Sequence, residues 1–127
     1  MSKEERIEIL IVDDDPAYRH LISAVLEAND FSVTTAENGE EALETLKTYK
    51  PNLIVSDLMM PKVDGYELIN MVRNNPETKH IPVILLTEVA SPKDISYGYE
   101  TQKVEYYIAK PFSNHQLLAG IKLVLGV

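Results

Sequence analysis

The segment Ile9-Leu10-Ile11-Val12-Asp13-Asp14-Asp15-Pro16 sets a short run of branched apolar residues directly before three carboxylates and a proline. A run of that length closed by polar residues is the signature of a buried strand. Pro16 after Asp15 suits the first position of a helix, where a missing N–H costs nothing. The same unit recurs along the chain. Apolar runs fall at residues 7–12, 31–35, 53–55, 83–86 and 104–108, several of them β-branched. Between them, Tyr18, Leu21, Ile22, Val25 and Leu26, and then Leu68, Ile69 and Val72, recur at helical spacing. Asn38 with Glu41, Asp64 with Glu67 and Ser113 with Gln116 have the spacing of a capping box, and Pro92 after Ser91 repeats the arrangement at Pro16. The pattern predicts a βα unit five times over. The third and fourth runs lack polar alternation, as parallel strands covered on both faces do, so the expected fold is α/β with a doubly wound five-stranded parallel sheet and helices on both faces.

At 127 residues the chain has room for one domain and not for two. The expected unit covers residues 1–127, with strand one starting near residue 7 and the fifth helix ending near residue 125. Apolar residues at 45% and charged residues at 25% sit at globular averages, which argues against disorder and fibrous repeats. A net charge of -8 opposes direct binding to nucleic acid or to an anionic membrane surface. The absence of cysteine excludes a disulfide framework, a thiol nucleophile and a thiolate zinc site, and fits a cytoplasmic chain. The longest apolar stretches, residues 9–12 and 83–86, are far short of the ~20 residues that cross a bilayer, and the first eight residues lack a signal-peptide pattern.

In an open parallel α/β sheet the ligand site lies beyond the carboxyl ends of the strands. Strand one ends in Asp13, Asp14 and Asp15, strand three in Asp57, strand four in Thr87 and strand five in Lys110, while strand two offers only Thr34 and Thr35. With strands one, three, four and five as neighbours, carboxylates, a hydroxyl and an ammonium converge on one rim. Carboxylates so placed raise each other's pKa until a cation neutralises them. Mg²⁺ suits such a rim because it takes few carboxylates and leaves positions open for phosphate oxygens. Lysine and threonine then complete a site for a phosphoryl group. Taken singly, the same residues have plainer roles: Asp14 or Asp15 can cap the first helix, Asp57 can serve a turn, and Thr87 can simply end a strand. His20, His80 and His115 show no ligand spacing, Met59 and Met60 suit loop and packing roles, and Glu40, Glu41, Glu44 and Lys47 suit a solvated helix face.

The ordered set Ile9-Leu10-Ile11-Val12-Asp13-Asp14-Asp15, Asp57-Leu58-Met59-Met60-Pro61 with Asp64-Gly65, Leu85-Leu86-Thr87 and Tyr107-Ile108-Ala109-Lys110-Pro111-Phe112 resembles the receiver domain of two-component response regulators. The resemblance covers nearly the whole chain and implies a flavodoxin-like (βα)5 fold with strand order 2-1-3-4-5. It implies that Asp57 is the phosphoacceptor, taking a phosphoryl group from the phosphohistidine of a sensor histidine kinase or phosphotransfer protein, or from a small donor. It further implies Mg²⁺ (or Mn²⁺) held by Asp14, Asp57 and the Met59 backbone carbonyl, with Asp13 acting through a bound water. Lys110 then pairs with phosphoryl oxygens and its bond to Pro111 is cis. By the same resemblance Thr87 moves toward the phosphoryl group and Tyr107 turns inward, altering a face made by the fourth helix, fifth strand and fifth helix. Tyr97, Tyr99, Tyr106 and Tyr107 crowd that face, either as an interface or as an edge of the core. The implied partners are a kinase or phosphotransfer protein and a downstream protein or fused output domain, with a phosphorylation-dependent homodimer as a further state. The role is that of a signalling phosphoacceptor, which is not a multiple-turnover metabolic enzyme.

The chain also departs from the family. Glu88 follows Thr87 where a small residue is usual, and a carboxylate ~7 Å from the phosphoryl group opposes it by about 0.6 to 2.4 kcal/mol. Lys103-Val104 replaces a common Gly-Ala turn. Met59 and Val89 are apolar at rate-modulating positions, which predicts a long-lived phosphoaspartate; loss of the phosphate within seconds in Mg²⁺ buffer contradicts that expectation. Three alternatives carry their own signatures. A flavodoxin-like cofactor binder needs a phosphate-cradling turn after strand one, where this chain has three aspartates. An aspartyl phosphatase is expected to carry its nucleophile in Asp-x-Asp after the first strand, whereas this chain has contiguous aspartates there and its candidate nucleophile, Asp57, on strand three. A degenerate receiver that only binds proteins is opposed by the complete set of Asp13, Asp14, Asp57, Thr87 and Lys110. The chain stops after Gly126-Val127, which suits a stand-alone regulator or the receiver portion of a longer protein.

Overall fold

Each apolar run forms a strand, displaced by at most a residue or two from its expected bounds. In the computed structural model, which describes residues 6–88 and 104–127, the order is β1 (Glu8–Val12), α1 (Pro16–Ala28), β2 (Ser32–Ala36), α2 (Gly39–Leu46), β3 (Leu53–Asp57), α3 (Gly65–Arg73), β4 (Val83–Thr87), β5 (Tyr106–Ala109) and α4 (Asn114–Leu125). The predicted fourth helix, with Val89, Pro92, Tyr97, Tyr99 and Lys103, lies outside the described residues, so α4 is the fifth helix of the expected series.

The five strands are all parallel and ordered β2-β1-β3-β4-β5. Because strand side chains alternate between faces, each strand feeds two cores. Leu10, Val12, Ile54 and Leu85 pack with Leu46 of α2 and with Leu68, Ile69 and Val72 of α3. Ile9, Ile11, Val55, Ile84 and Leu86 pack on the other face with Ile22 and Leu26 of α1 and Leu117 and Ile121 of α4. β3 and β4 are buried at every residue, which is why their sequences show no alternation.

Local chemistry fixes where the helices start. Asp15 accepts a hydrogen bond from the Ala17 N–H with Pro16 beginning α1, Asn38 accepts from Glu41, and Asp64 accepts from Glu67. Ser113 and Gln116 close the full reciprocal box at α4. The register levels the strand ends, with Val12 beside Ser56, Asp57 beside Leu86, and Thr87 beside Ala109. Those ends form one rim.

Candidate functional site

Asp13 follows β1 and is wholly buried. Its N–H donates to the Ala36 carbonyl at 3.2 Å, and its own carbonyl accepts from Arg19 Nη1 at 2.7 Å. Both carboxylate oxygens are engaged, Oδ1 by the Asp15 N–H and Oδ2 by Lys110 Nζ, each at 2.9 Å. Asp15 takes the capping role, which leaves Asp14 exposed beside the cleft. Asp57 closes β3 with 8% of its surface exposed, and its Oδ1 lies 3.5 Å from Lys110 Nζ. The Lys110 N–H donates to the Thr87 carbonyl at 2.8 Å, tying the ends of β4 and β5 together, and Thr87 and Lys110 are both buried. The Lys110–Pro111 bond is cis.

The rim thus gathers carboxylate oxygens of Asp13, Asp14 and Asp57 within 4.8 Å of one another. Loss of hydration pushes the Asp57 carboxyl up from 3.8 to about 6, the Asp13 charge adds to this and Asp14 adds less; Lys110 and the Met59 N–H pull the other way without cancelling it. Burial alone lowers the Lys110 ammonium, but its bond to Asp13 and the charges of Asp13 and Asp57 hold it above its ordinary value. The site therefore carries more negative charge than its one lysine relieves. Three carboxylates with only oxygen donors fit a hard divalent cation, which answers that excess directly.

Asp14, Asp15, Asp57, Met59, Glu88 and Lys110 line a cleft of about 530 Å³. Met59 and Glu88 are exposed at its mouth, whereas Met60 is buried in the core, so the two methionines divide the loop and packing roles. Thr87, Leu85 and Tyr107 share one face of the sheet, because Leu85 is the register partner of Tyr107 and lies two residues before Thr87. Tyr107 packs against the α2–α3 core, and its hydroxyl lies 2.8 Å from that of Tyr66 at the start of α3. His20, His80 and His115 are exposed and apart from the rim.

Two neighbours of the rim were not visible in the sequence. Tyr18, expected only on the apolar face of α1, does pack against the core, yet its ring centroid also lies 4.0 Å from Lys110 Nζ. Arg19, which reaches the Asp13 carbonyl, carries no sequence signal beyond being one charge on a helix.

Residues 9–122 match the response regulator receiver domain. The chain is 37% identical over 123 residues to response regulator Rre1 of Synechocystis, covering 96% of this chain and 53% of that protein. It is 36% identical over 117 residues to the DNA-binding dual master transcriptional regulator RpaA of the same organism, covering 92% of this chain and 48% of that one. The chain therefore spans about half the length of these curated relatives. Among solved structures, chemotaxis protein CheY4 of Vibrio cholerae superposes with a TM-score of 0.89 at 30% identity, covering 94% of this chain and 98% of that one. The signal receiver domain of a signal transduction histidine kinase from Syntrophus aciditrophicus gives 0.85 at 35% identity, covering 94% and 89%. With the sheet order in agreement, this chain belongs to the CheY-like receiver domains of two-component response regulators, a family of signalling phosphoacceptors.

Proposed function

We propose that Asp57 is the phosphoacceptor of this receiver. The observation that carries the reading is the position of its carboxylate at the floor of the cleft, crowded by Asp13 and 3.5 Å from the Lys110 ammonium. An Asp57 oxygen bonds to phosphorus while the P–N bond of a phosphohistidine breaks, and the bonding pair leaves with the imidazole nitrogen, which a proton then neutralises. Lys110 supplies a positive charge to the phosphoryl oxygens and Thr87 a hydroxyl donor. Asp14, Asp57 and the Met59 carbonyl would hold Mg²⁺ or Mn²⁺, and Asp13, whose oxygens also accept from the Asp15 N–H and Lys110, would support it through a bound water. When bound, the cation offsets the charge of the carboxylates and of the incoming phosphoryl group.

Thr87 and Tyr107 act as the switch, since both stand on one sheet face and Tyr107 borders the groove between β5 and α4. That groove, lined by Tyr106, Pro111, His115 and Gln116 among others, belongs to the face offered to a downstream protein, a fused output domain or a second copy. A sensor histidine kinase or phosphotransfer protein in the cytoplasm supplies the phosphoryl group. No helix of the described residues is long and apolar enough to cross a membrane. The working unit runs from strand one near residue 7 to the last helix near residue 125.

The direct test is intact mass after incubation with acetyl phosphate and Mg²⁺. One added phosphoryl group is expected, absent in Asp57→Asn and absent when the metal is chelated. An adduct that persists in Asp57→Asn would assign the chemistry elsewhere.

A further inference from the structure

We propose that Tyr18 is a positioning residue for Lys110, its ring face holding the ammonium at the phosphoryl site. The inference rests on the phosphoacceptor reading above and adds a residue to it. Lys110 Nζ sits 2.9 Å from Asp13 Oδ2, 3.5 Å from Asp57 Oδ1 and 4.0 Å from the centroid of Tyr18. An ammonium has three N–H donors in three directions. Two carboxylates take two of its sides, and the aromatic face covers another. Attraction between a cation and a ring face strengthens as water is removed, and Lys110 is buried.

The choice of a ring has a chemical consequence. A third carboxylate there would bind the ammonium more tightly and draw it away from the cleft. An aliphatic side chain would fill the space without attracting the charge. The neutral ring does neither, so it restrains the head of a long flexible side chain while leaving its charge for phosphoryl oxygens at Asp57.

The ring is itself held on both sides. Tyr18 lies in the first turn of α1, whose start is fixed by the Asp15 cap and by Arg19 Nη1 donating to the Asp13 carbonyl. Phe112, two residues beyond Lys110, leans against the Tyr18 ring at 5.9 Å between centroids and 46° between planes. The contacts form a closed circuit from Asp13 through the start of α1 to Tyr18, on to Lys110, and back to Asp13. A displacement of the lysine then strains α1 as well as the rim.

The test compares the 127-residue chain with Tyr18→Phe, Tyr18→Leu and Tyr18→Met. Phosphoryl uptake from phosphoramidate with Mg²⁺ is followed by intact mass, Mg²⁺ affinity by calorimetry, and the Lys110 side-chain protons by NMR. Loss of the ring face in the Leu and Met variants is expected to slow uptake by roughly threefold to tenfold. The Phe variant, which keeps the ring, restores the rate to within about twofold of wild type. Mg²⁺ affinity is expected not to weaken in any of the three, because Tyr18 acts on the lysine and touches none of the carboxylates that would hold the cation. Lys110 protons resonate upfield in the wild type and in the Phe variant, and move downfield when the ring is removed. Three results would overturn the proposal: folded Leu and Met variants as fast as wild type, a Phe variant as slow as Leu, or Mg²⁺ affinity weakened in step with the rate. Unshifted Lys110 protons in the wild type would also overturn it. A wild-type chain that takes up no phosphoryl group overturns the phosphoacceptor reading and this inference with it. The wild-type sample thus tells the two failures apart.

Discussion

Asp57 is held in a place that disfavours its own charge. Its carboxyl is raised from 3.8 to about 6, first by lost hydration and then by Asp13, so between those values the folded chain binds a proton that the unfolded chain has released. The ionised form is therefore costly in the fold. Stability from this group is highest below pH 3.8 and falls as pH rises through about 6, by up to about 3 kcal/mol in the absence of metal. Asp57→Asn removes the charge at nearly constant shape. It is expected to stabilise the metal-free chain by about 1–3 kcal/mol at pH 8 and by little at pH 4. Urea unfolding at the two pH values with a chelator present measures this, and destabilisation at pH 8 would contradict it. The sequence placed Asp13, Asp57 and Lys110 at strand ends, and the rule for parallel sheets made those ends the site. Which carboxylate is capped, which is exposed and which is crowded depended on how the first helix begins. The plainer role of capping falls to Asp15 alone.

At the scale of elements, the junction of β3 and α3 is packed against the site. The Gly65 N–H donates to the Leu58 carbonyl at 2.8 Å, and a Cβ on Gly65 would meet the Asp57 carbonyl, the Leu58 Cα and Leu85 Cδ2, each at 2.9 Å. Two of those atoms are backbone at Asp57 and Leu58, so they cannot yield by rotating a side chain. Gly65→Ala is expected to cost about 1–3 kcal/mol through overpacking and to slow phosphoryl uptake by displacing the end of β3. Asp64→Ala, one residue earlier, loses only the cap bond to the Glu67 N–H, at about 1 kcal/mol, and keeps the uptake rate. Denaturant melts together with the mass assay separate the two; equal rates in both variants would remove Gly65 from the account. The capping pairs were legible because they join residues three apart. The clamp at the other end of the sheet was not. Arg73 Nη2 reaches both carboxylate oxygens of Glu105 at 2.9 Å, and Glu105 Oε2 also accepts from the Val83 N–H. That clamp joins α3 to the starts of β4 and β5, and neither residue carries a local pattern that announces it.

Over the whole molecule, a net charge of -8 and three carboxylates gathered at one rim mean that a divalent cation bound there would stabilise the fold. Free Mg²⁺ at about 100 times its dissociation constant should raise stability by about 2.7 kcal/mol by mass action. Asp14→Asn, at an exposed position, should lose most of that gain while folding normally. Thermal melts with Mg²⁺ against NaCl of equal ionic strength measure the difference, and equal gains in both salts would point to general screening. By itself the sequence determined the five strands, the starts of the four described helices and the candidates at the strand ends, since each rests on spacing within a few residues. The strand order came through resemblance, and the pairing in the structure agrees with it. Tertiary structure alone decided that Lys110 sits between Asp13 and Asp57 with the Tyr18 ring beside it, and that the hydroxyls of Tyr66 and Tyr107 meet. The physical reason is range: caps and periodicity act between near neighbours in the chain, whereas these contacts join side chains that only the packed sheet brings within a few ångströms.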